Sequence, residues 1–111
     1  MTLRQAQDRP ANPVRGEAEL CVGGERLVLR PSFEALVEAE GELGSLFALV
    51  ERAAEGRLTL AETSGLFWYC VRDRPEGLTR EQIGAAVAEA GLARVAPVLK
   101  GLLRQILQGA V

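Results

Sequence analysis

Residues 17–30 alternate between hydrophobic and polar side chains, a period of two that is typical of β-strands. The alternating hydrophobic residues are Ala18, Leu20, Val22, Leu27 and Leu29. Gly23 and Gly24 divide the segment, and because glycine adopts positive φ angles without a Cβ penalty, they favour a tight turn. The pattern predicts a two-stranded hairpin, which is too small to be stable alone and must pack against helices.

After the hairpin, hydrophobic residues recur every three or four positions, which indicates amphipathic helices. The first two predicted helices follow the N-cap residues Ser32 and Ser45 and end at Gly41 and Gly56. Their predicted inward faces are Phe33, Leu36 and Val37, then Leu46, Leu49, Val50 and Ala53. Glu40 falls on the first of these faces, so we expect its carboxylate to accept backbone N–H groups from the start of the second helix. A ligand-binding carboxylate is the alternative.

Two capping boxes mark the starts of the third and fourth helices. Thr59 with Glu62, and Thr79 with Gln82, have the spacing at which each side chain accepts a backbone N–H of the other residue. The predicted inward faces are Leu60, Thr63, Leu66, Phe67, Cys70 and Val71, then Ile83, Ala86, Val87 and Ala90. Gly91 is predicted to end the fourth helix.

Two aromatic residues of the third helix lie off its apolar face. By helical projection, Tyr69 points to the opposite side and Trp68 lies at the margin. One interpretation makes both rings part of a protein-binding surface, because a large ring without a partner exposes apolar area. The alternative is a central helix that is packed on both sides, with the tyrosine hydroxyl reaching the surface.

The last helix is predicted from about Ala93 or Ala96 to Gln108. Its apolar stripe contains Val95, Val98, Leu99, Leu102 and Ile106. Leu103 and Leu107 widen this stripe to roughly half of the helix circumference, which is more than a surface helix needs. These two leucines are therefore candidates for a partner-binding surface, with additional intramolecular core as the alternative.

The elements together predict an α+β fold that is mostly helical, with an N-terminal hairpin packed on a bundle of about five short helices. Residues 1–15 are polar and contain two prolines, so we expect a disordered or extended tail. A single domain is expected over residues 16–111, since a chain of 111 residues has room for one core. An unpaired edge of the hairpin is a candidate surface for pairing two copies of the chain.

Composition excludes several classes of function. The net charge is −2, with 13 basic and 15 acidic residues interspersed, so we expect no nucleic-acid partner. No apolar run is long enough to span a membrane and the start lacks a signal peptide, which predicts a cytoplasmic protein with no membrane contact. The sequence contains no histidine and no recognisable catalytic motif, so we expect neither an enzyme nor a cofactor. Cys21 and Cys70 are interpreted as small buried hydrophobes rather than metal ligands.

Several segments resemble the tail assembly protein family of gene transfer agents, which are domesticated phage particles of alphaproteobacteria. The resemblance is carried by residues 12–17 (NPVRGE), 29–36 (LRPSFEAL), 40–46 (EGELGSL) and 77–79 (GLT), and it extends over roughly residues 12–108. The family is grouped with phage tail assembly chaperones, and some descriptions call it a tail tube protein.

The resemblance implies a chaperone that binds the tape measure protein, keeps it soluble and gives way as tail tube proteins polymerise around it, in a gene transfer agent or prophage. A tube subunit needs a large sheet, whereas few residues here are predicted as strand. Two alternatives remain: a structural tail component that persists in the particle, and a regulatory binding module unrelated to phages.

Overall fold

The computed structural model describes residues 17–108, which form a two-stranded antiparallel sheet followed by five helices. The elements are β1 (Ala18–Val22), β2 (Glu25–Leu29), α1 (Phe33–Leu43), α2 (Leu46–Ala54), α3 (Leu60–Cys70), α4 (Arg80–Ala90) and α5 (Leu92–Gln108). The predicted α+β, mostly helical fold is confirmed. The predicted tail over residues 1–15 lies outside the described residues.

The hairpin turns where its two glycines predict. Gly23 and Gly24 have φ angles of 57° and 83°, which L-residues with a Cβ rarely adopt. The register pairs Leu20 with Leu27, so the two leucines lie on the same face of the sheet and both enter the core. The alternation also places Cys21 on the opposite face, where its side chain is exposed. The prediction that both cysteines are buried is therefore wrong for Cys21 and correct for Cys70.

The end of β2 at Leu29 is covered by the chain that follows α3. The backbone N–H of Arg30 donates to the carbonyl of Cys70 at 2.6 Å, and the N–H of Arg72 donates to the carbonyl of Val28 at 2.7 Å. This pairing forms an isolated β-bridge between Leu29 and Val71, and Val28 is fully buried. The end of β2 at Leu29 is therefore not an open edge, and pairing of two copies through another edge of the hairpin stays a prediction.

Helix α3 forms the centre of the bundle. It packs against α1 on one side and α4 on the other, while α5 packs against α4 and β1. The largest fully buried side chains are those of Leu27, Val28, Leu29, Leu49, Leu66, Phe67, Cys70, Ile83, Val87 and Leu102. Because α3 has neighbours on two sides, it has a broad buried surface and supplies three of these side chains.

The predicted inward face of α1 is correct for Leu36, which packs against the core, and wrong for Phe33 and Val37. Phe33 and Val37 are exposed, and the helix instead buries Ala35 and Ala39. The short alanine side chains allow α1 to approach α3 closely, whereas the larger residues on the adjacent face would hold the two helices further apart. Leu60 is also exposed, since it is the first residue of α3 and lies before the helix enters the core.

Two helix boundaries differ from their predictions. Helix α1 continues through Gly41 to Leu43 and is capped by Gly44, whose φ of 86° stops the helix, whereas Gly41 has no positive φ. Helix α5 begins at Leu92, directly after Gly91, and contains Pro97 in its interior. The predicted N-caps Ser32 and Ser45 are confirmed, because their hydroxyl oxygens accept backbone N–H groups in the first turns of α1 and α2.

Candidate functional site

An apolar concave surface lies between α1, α2 and the last turns of α5. We call it the α1–α2 groove, and it has a volume of about 280 Å³. Its apolar walls are Phe33, Leu36 and Val37 of α1, Leu46, Phe47 and Val50 of α2, and Ile106 and Leu107 of α5. All three walls are helical, so the groove presents side chains rather than unpaired backbone groups.

Exposed hydrophobic residues are concentrated in this groove. Phe33 is 84% exposed, Phe47 82%, Leu107 63% and Val37 49%. Within residues 17–108, the other two large exposed hydrophobic residues are Leu60 and Leu92, which do not line it. A single exposed leucine is ordinary on a protein surface, but a contiguous apolar cluster is typical of a site that binds another molecule.

Glu40 is the charged residue of the groove, and its carboxylate already has a partner. Its Oε2 accepts a hydrogen bond from the backbone N–H of Leu46 at 3.1 Å, at the N-terminus of α2. This is the interaction predicted from the sequence, and the positive end of the helix dipole favours it. The contact ties the end of α1 to the start of α2, so Glu40 shapes the groove and leaves its walls apolar.

A polar cluster on the opposite side of α1 explains why the groove faces outward. Glu42 accepts hydrogen bonds from the hydroxyl of Tyr69 at 2.8 Å and from both terminal nitrogens of the Arg80 guanidinium. By helical projection, Glu42 lies about 180° from Phe33. Anchoring Glu42 to α3 and α4 therefore turns the phenylalanine away from the core.

These hydrogen bonds also change the acidity of the cluster. The guanidinium of Arg80, with the Tyr69 hydroxyl as a second donor, lowers the pKa of Glu42 to about 2. The same carboxylate raises the pKa of the Tyr69 hydroxyl, because losing that proton would remove the hydrogen bond and place two negative charges together. The cluster is thus an ionised arginine–carboxylate pair with a neutral tyrosine at neutral pH.

Comparison with protein families shows the family to which the chain belongs. Residues 15–109 match the model of a family described as phage tail tube protein, GTA-gp10. The chain belongs to this family. The match supports the resemblance to the tail proteins of gene transfer agents and phages, and it does not distinguish a chaperone from a tube component. No curated protein and no solved structure matched the chain.

In this tail protein, the two leucines proposed to widen the surface of α5 have different environments. Leu107 lines the groove, whereas Leu103 is 9% exposed and packs in the hydrophobic core. The alternative of additional intramolecular core therefore applies to Leu103. The apolar arc of α5 is wide because one part of it packs in the hydrophobic core and another part lines the groove.

Trp68 and Tyr69 are outside the groove and have partners within the chain. Both rings are half-buried against the core, and the Arg80 guanidinium lies 5.9 Å from the centre of the Tyr69 ring. The Arg74 guanidinium lies 3.9 Å from the centre of the Trp68 ring and donates to the Trp68 carbonyl at 2.9 Å. This arrangement matches the alternative in which α3 is packed on both sides.

Both predicted capping boxes are present in the structure of the tail protein. The Glu62 N–H donates to the Thr59 hydroxyl at 3.1 Å, and the Thr59 N–H donates to the Glu62 carboxylate at 3.0 Å. The corresponding distances for Gln82 and Thr79 are 3.2 Å and 2.8 Å. The Thr59 N–H, followed by the Arg52 guanidinium, lowers the pKa of Glu62. This carboxylate therefore connects the end of α2 to the start of α3.

The most exposed residues of the groove were not identified from the sequence. The helical period predicts that Phe33 lies in the core and that Phe47 lies outside the apolar stripe of α2, whereas both are exposed in the groove. The signal in the sequence is that α1 has two apolar rows, Ala35 with Ala39 and Phe33 with Val37, whereas a short helix needs only one row to pack against a core.

Residues 17–108 contain no group of three or more potential metal ligands and no helix that is long and apolar enough to cross a membrane.

Proposed function

We propose that this tail protein is a non-enzymatic tail assembly chaperone that binds an apolar segment of the tape measure protein in the α1–α2 groove. The observation that carries the proposal is the concentration of exposed large hydrophobic side chains in one groove of a phage tail protein. In this role the protein acts in the bacterial cytoplasm while the particle is assembled. It keeps its partner soluble by covering apolar surface and performs no chemistry.

The energetic scale of such a site suits a chaperone. Burying a few hundred Å² of apolar surface at about 25 cal/mol per Å² provides on the order of 10 kcal/mol before the costs of association. Lost translational and rotational freedom costs roughly 4 kcal/mol or more, so the net favourable free energy of binding is at most about 6 kcal/mol. Binding of this strength is readily reversible, so polymerising tube proteins can displace the chaperone from its partner.

A structural tail component is the second candidate, because the family is described by the words tail tube protein. The small sheet argues against a tube subunit that closes a ring through a continuous sheet, since the described residues contain two strands of five residues each. Mass spectrometry of purified particles distinguishes the two roles. A chaperone is absent or far below the copy number of the tube protein, whereas a structural component remains in the particle.

Co-expression with the tape measure protein, identified from the gene neighbourhood, tests the proposed function. We expect the native chain to increase the soluble fraction of the tape measure protein, and we expect a Phe33→Ser, Phe47→Ser double variant to lose this effect. Leu92→Ser is the matched control, because Leu92 is exposed but does not line the groove. Equal protection by the native chain and the folded double variant would contradict a role for the groove.

A further inference from the structure

The rims of the α1–α2 groove carry unpaired negative charge. Glu34 adjoins the row formed by Phe33 and Val37 on α1, and Glu51 lies one turn after Phe47 on α2. Both glutamates are exposed. Within residues 17–108, no salt bridge involves either of them.

The third wall of the groove has the opposite charge. Arg104 lies one turn before Leu107 on α5, and Lys100 lies one turn earlier on the same side. Both are exposed, and within the described part of the chain neither forms a salt bridge. An occupant of the groove therefore meets carboxylates along α1 and α2 and cations along α5.

Building on the proposed function, we infer that the occupant is an amphipathic helix whose apolar stripe is flanked by lysine or arginine where it faces α1 and α2. Basic side chains there would face Glu34 and Glu51, while the apolar stripe covers Phe33 and Phe47. Complementary charge of this kind selects the partner and its orientation more than it adds affinity.

The helical form of the occupant follows from the walls. An extended peptide needs backbone donors and acceptors from its receptor, and the helical walls of the groove have satisfied theirs internally. A helix brings its own backbone hydrogen bonds and contributes side chains alone. The exposed residues at positions i and i+4 of α1, Phe33 and Val37, form a ridge against which a third helix can pack.

Two synthetic helical peptides of about 18 residues, roughly five turns, test the inference. They share one leucine and phenylalanine stripe. The lysine peptide has lysine on the flank that would face α1 and α2 and glutamate on the flank that would face α5, and the other peptide has glutamine on both flanks. Fluorescence anisotropy is measured with the full chain at about 0.1 M salt, where charges interact over ~10 Å, and at about 1 M, where they are screened within ~3 Å. We expect the lysine peptide to bind on the order of tenfold more tightly at low salt, with the preference lost at high salt.

Charge reversal in the protein supplies the matched comparison. A Glu34→Lys, Glu51→Lys double variant should lose or invert the preference for the lysine peptide, because both substitutions are at exposed positions and leave the apolar walls in place. Phe47→Ser should weaken both peptides equally, and Leu92→Ser should change neither. Circular dichroism of each variant establishes that it is folded.

The outcomes separate this inference from the proposed function. Equal affinity for the two peptides would overturn the charge preference and leave the groove as a binding site. Binding that Phe47→Ser does not weaken, or binding of neither peptide, would contradict the groove itself. Light scattering provides the last outcome: a dimer that Phe47→Ser dissociates would replace the helical partner with a second copy of this chain.

Discussion

Arg72 donates from one guanidinium nitrogen to both carboxylate oxygens of Glu17, at 2.9 and 3.0 Å, across 55 positions of sequence. The Glu17 side chain is 1% exposed and that of Arg72 is 14% exposed. The pair holds Glu17, the residue before β1, next to the segment after α3 that hydrogen-bonds to β2. Burial makes the loss of either charge costly, and the Arg72 guanidinium also lies 3.8 Å from the carboxylate of Asp73.

Glu17→Gln should therefore lower the free energy of unfolding by about 2 to 3 kcal/mol, since it removes a buried carboxylate that accepts two hydrogen bonds from Arg72. Chemical denaturation measures the change. The matched control is Glu19→Gln, which removes an exposed pair with Arg26 at 3.8 Å and should cost less than about 1 kcal/mol. Equal losses for the two variants would show that burial of the Glu17 pair is not what makes it important.

Replacing Leu103 and Leu107 separately should distinguish the two roles of α5, which are packing in the core and lining the groove. We expect Leu103→Glu to cost about 3 kcal/mol or more, because it places a charge in the core, and Leu107→Glu to cost less than about 1 kcal/mol. Thermal denaturation gives the stabilities, and peptide binding shows whether Leu107→Glu weakens the groove. A strongly destabilised Leu107→Glu variant would place Leu107 in the core as well.

Tyr69→Ala should cost on the order of 3 kcal/mol in denaturant, because the ring packs against the core and its hydroxyl holds Glu42. Tyr69→Phe keeps the ring and should cost about 1 kcal/mol or less. We expect both folded variants to bind a groove partner like the native chain. A small loss of stability for the alanine variant, accompanied by weakened binding, would instead favour the recognition role considered for this residue.

The stability of the protein should fall in acid partly through Glu42. Its pKa is about 2 in the folded chain against 4.5 for the unperturbed group, so its stabilising contribution is complete above pH 4.5 and is lost as the pH falls towards 2. The difference in melting temperature between the native chain and Glu42→Gln should therefore shrink from pH 5 to pH 2. Glu62, whose pKa is also lowered, is present in both proteins and cancels in the comparison. A constant difference would show that the charge of Glu42 contributes nothing.

Two helical glycines should respond differently to alanine. A Cβ at Gly65 would lie 2.5 Å from the Arg80 guanidinium, whereas at Gly101 it would meet no other atom within 4 Å. Gly101→Ala should stabilise the protein by about 0.5 to 1 kcal/mol through helix propensity. Gly65→Ala should gain less or destabilise, because it displaces Arg80 from Glu42. If calorimetry shows the same gain in stability for Gly65→Ala and Gly101→Ala, then Arg80 moves aside at no cost in free energy.

The sequence alone was sufficient wherever the interaction was local. The turn at Gly23 and Gly24 and both capping boxes depend on residues at most three positions apart, so the chain specifies them before any tertiary contact forms. The bond from Glu40 to the start of α2 spans six positions and was also predictable, because a short turn brings the two helix ends together.

Tertiary structure decided which faces became core and which became groove. Both apolar rows of α1 satisfied the helical period, and the choice between them came from the alanine contact with α3 and from the Glu42–Arg80 pair, whose members are 38 positions apart. Such a pair depends on how whole helices are placed relative to each other. The hydrophobic period within one helix contains no information about that placement. The exposed position of Phe33, and with it the proposed binding groove, followed from that packing because burying one face of a short helix turns the other towards solvent.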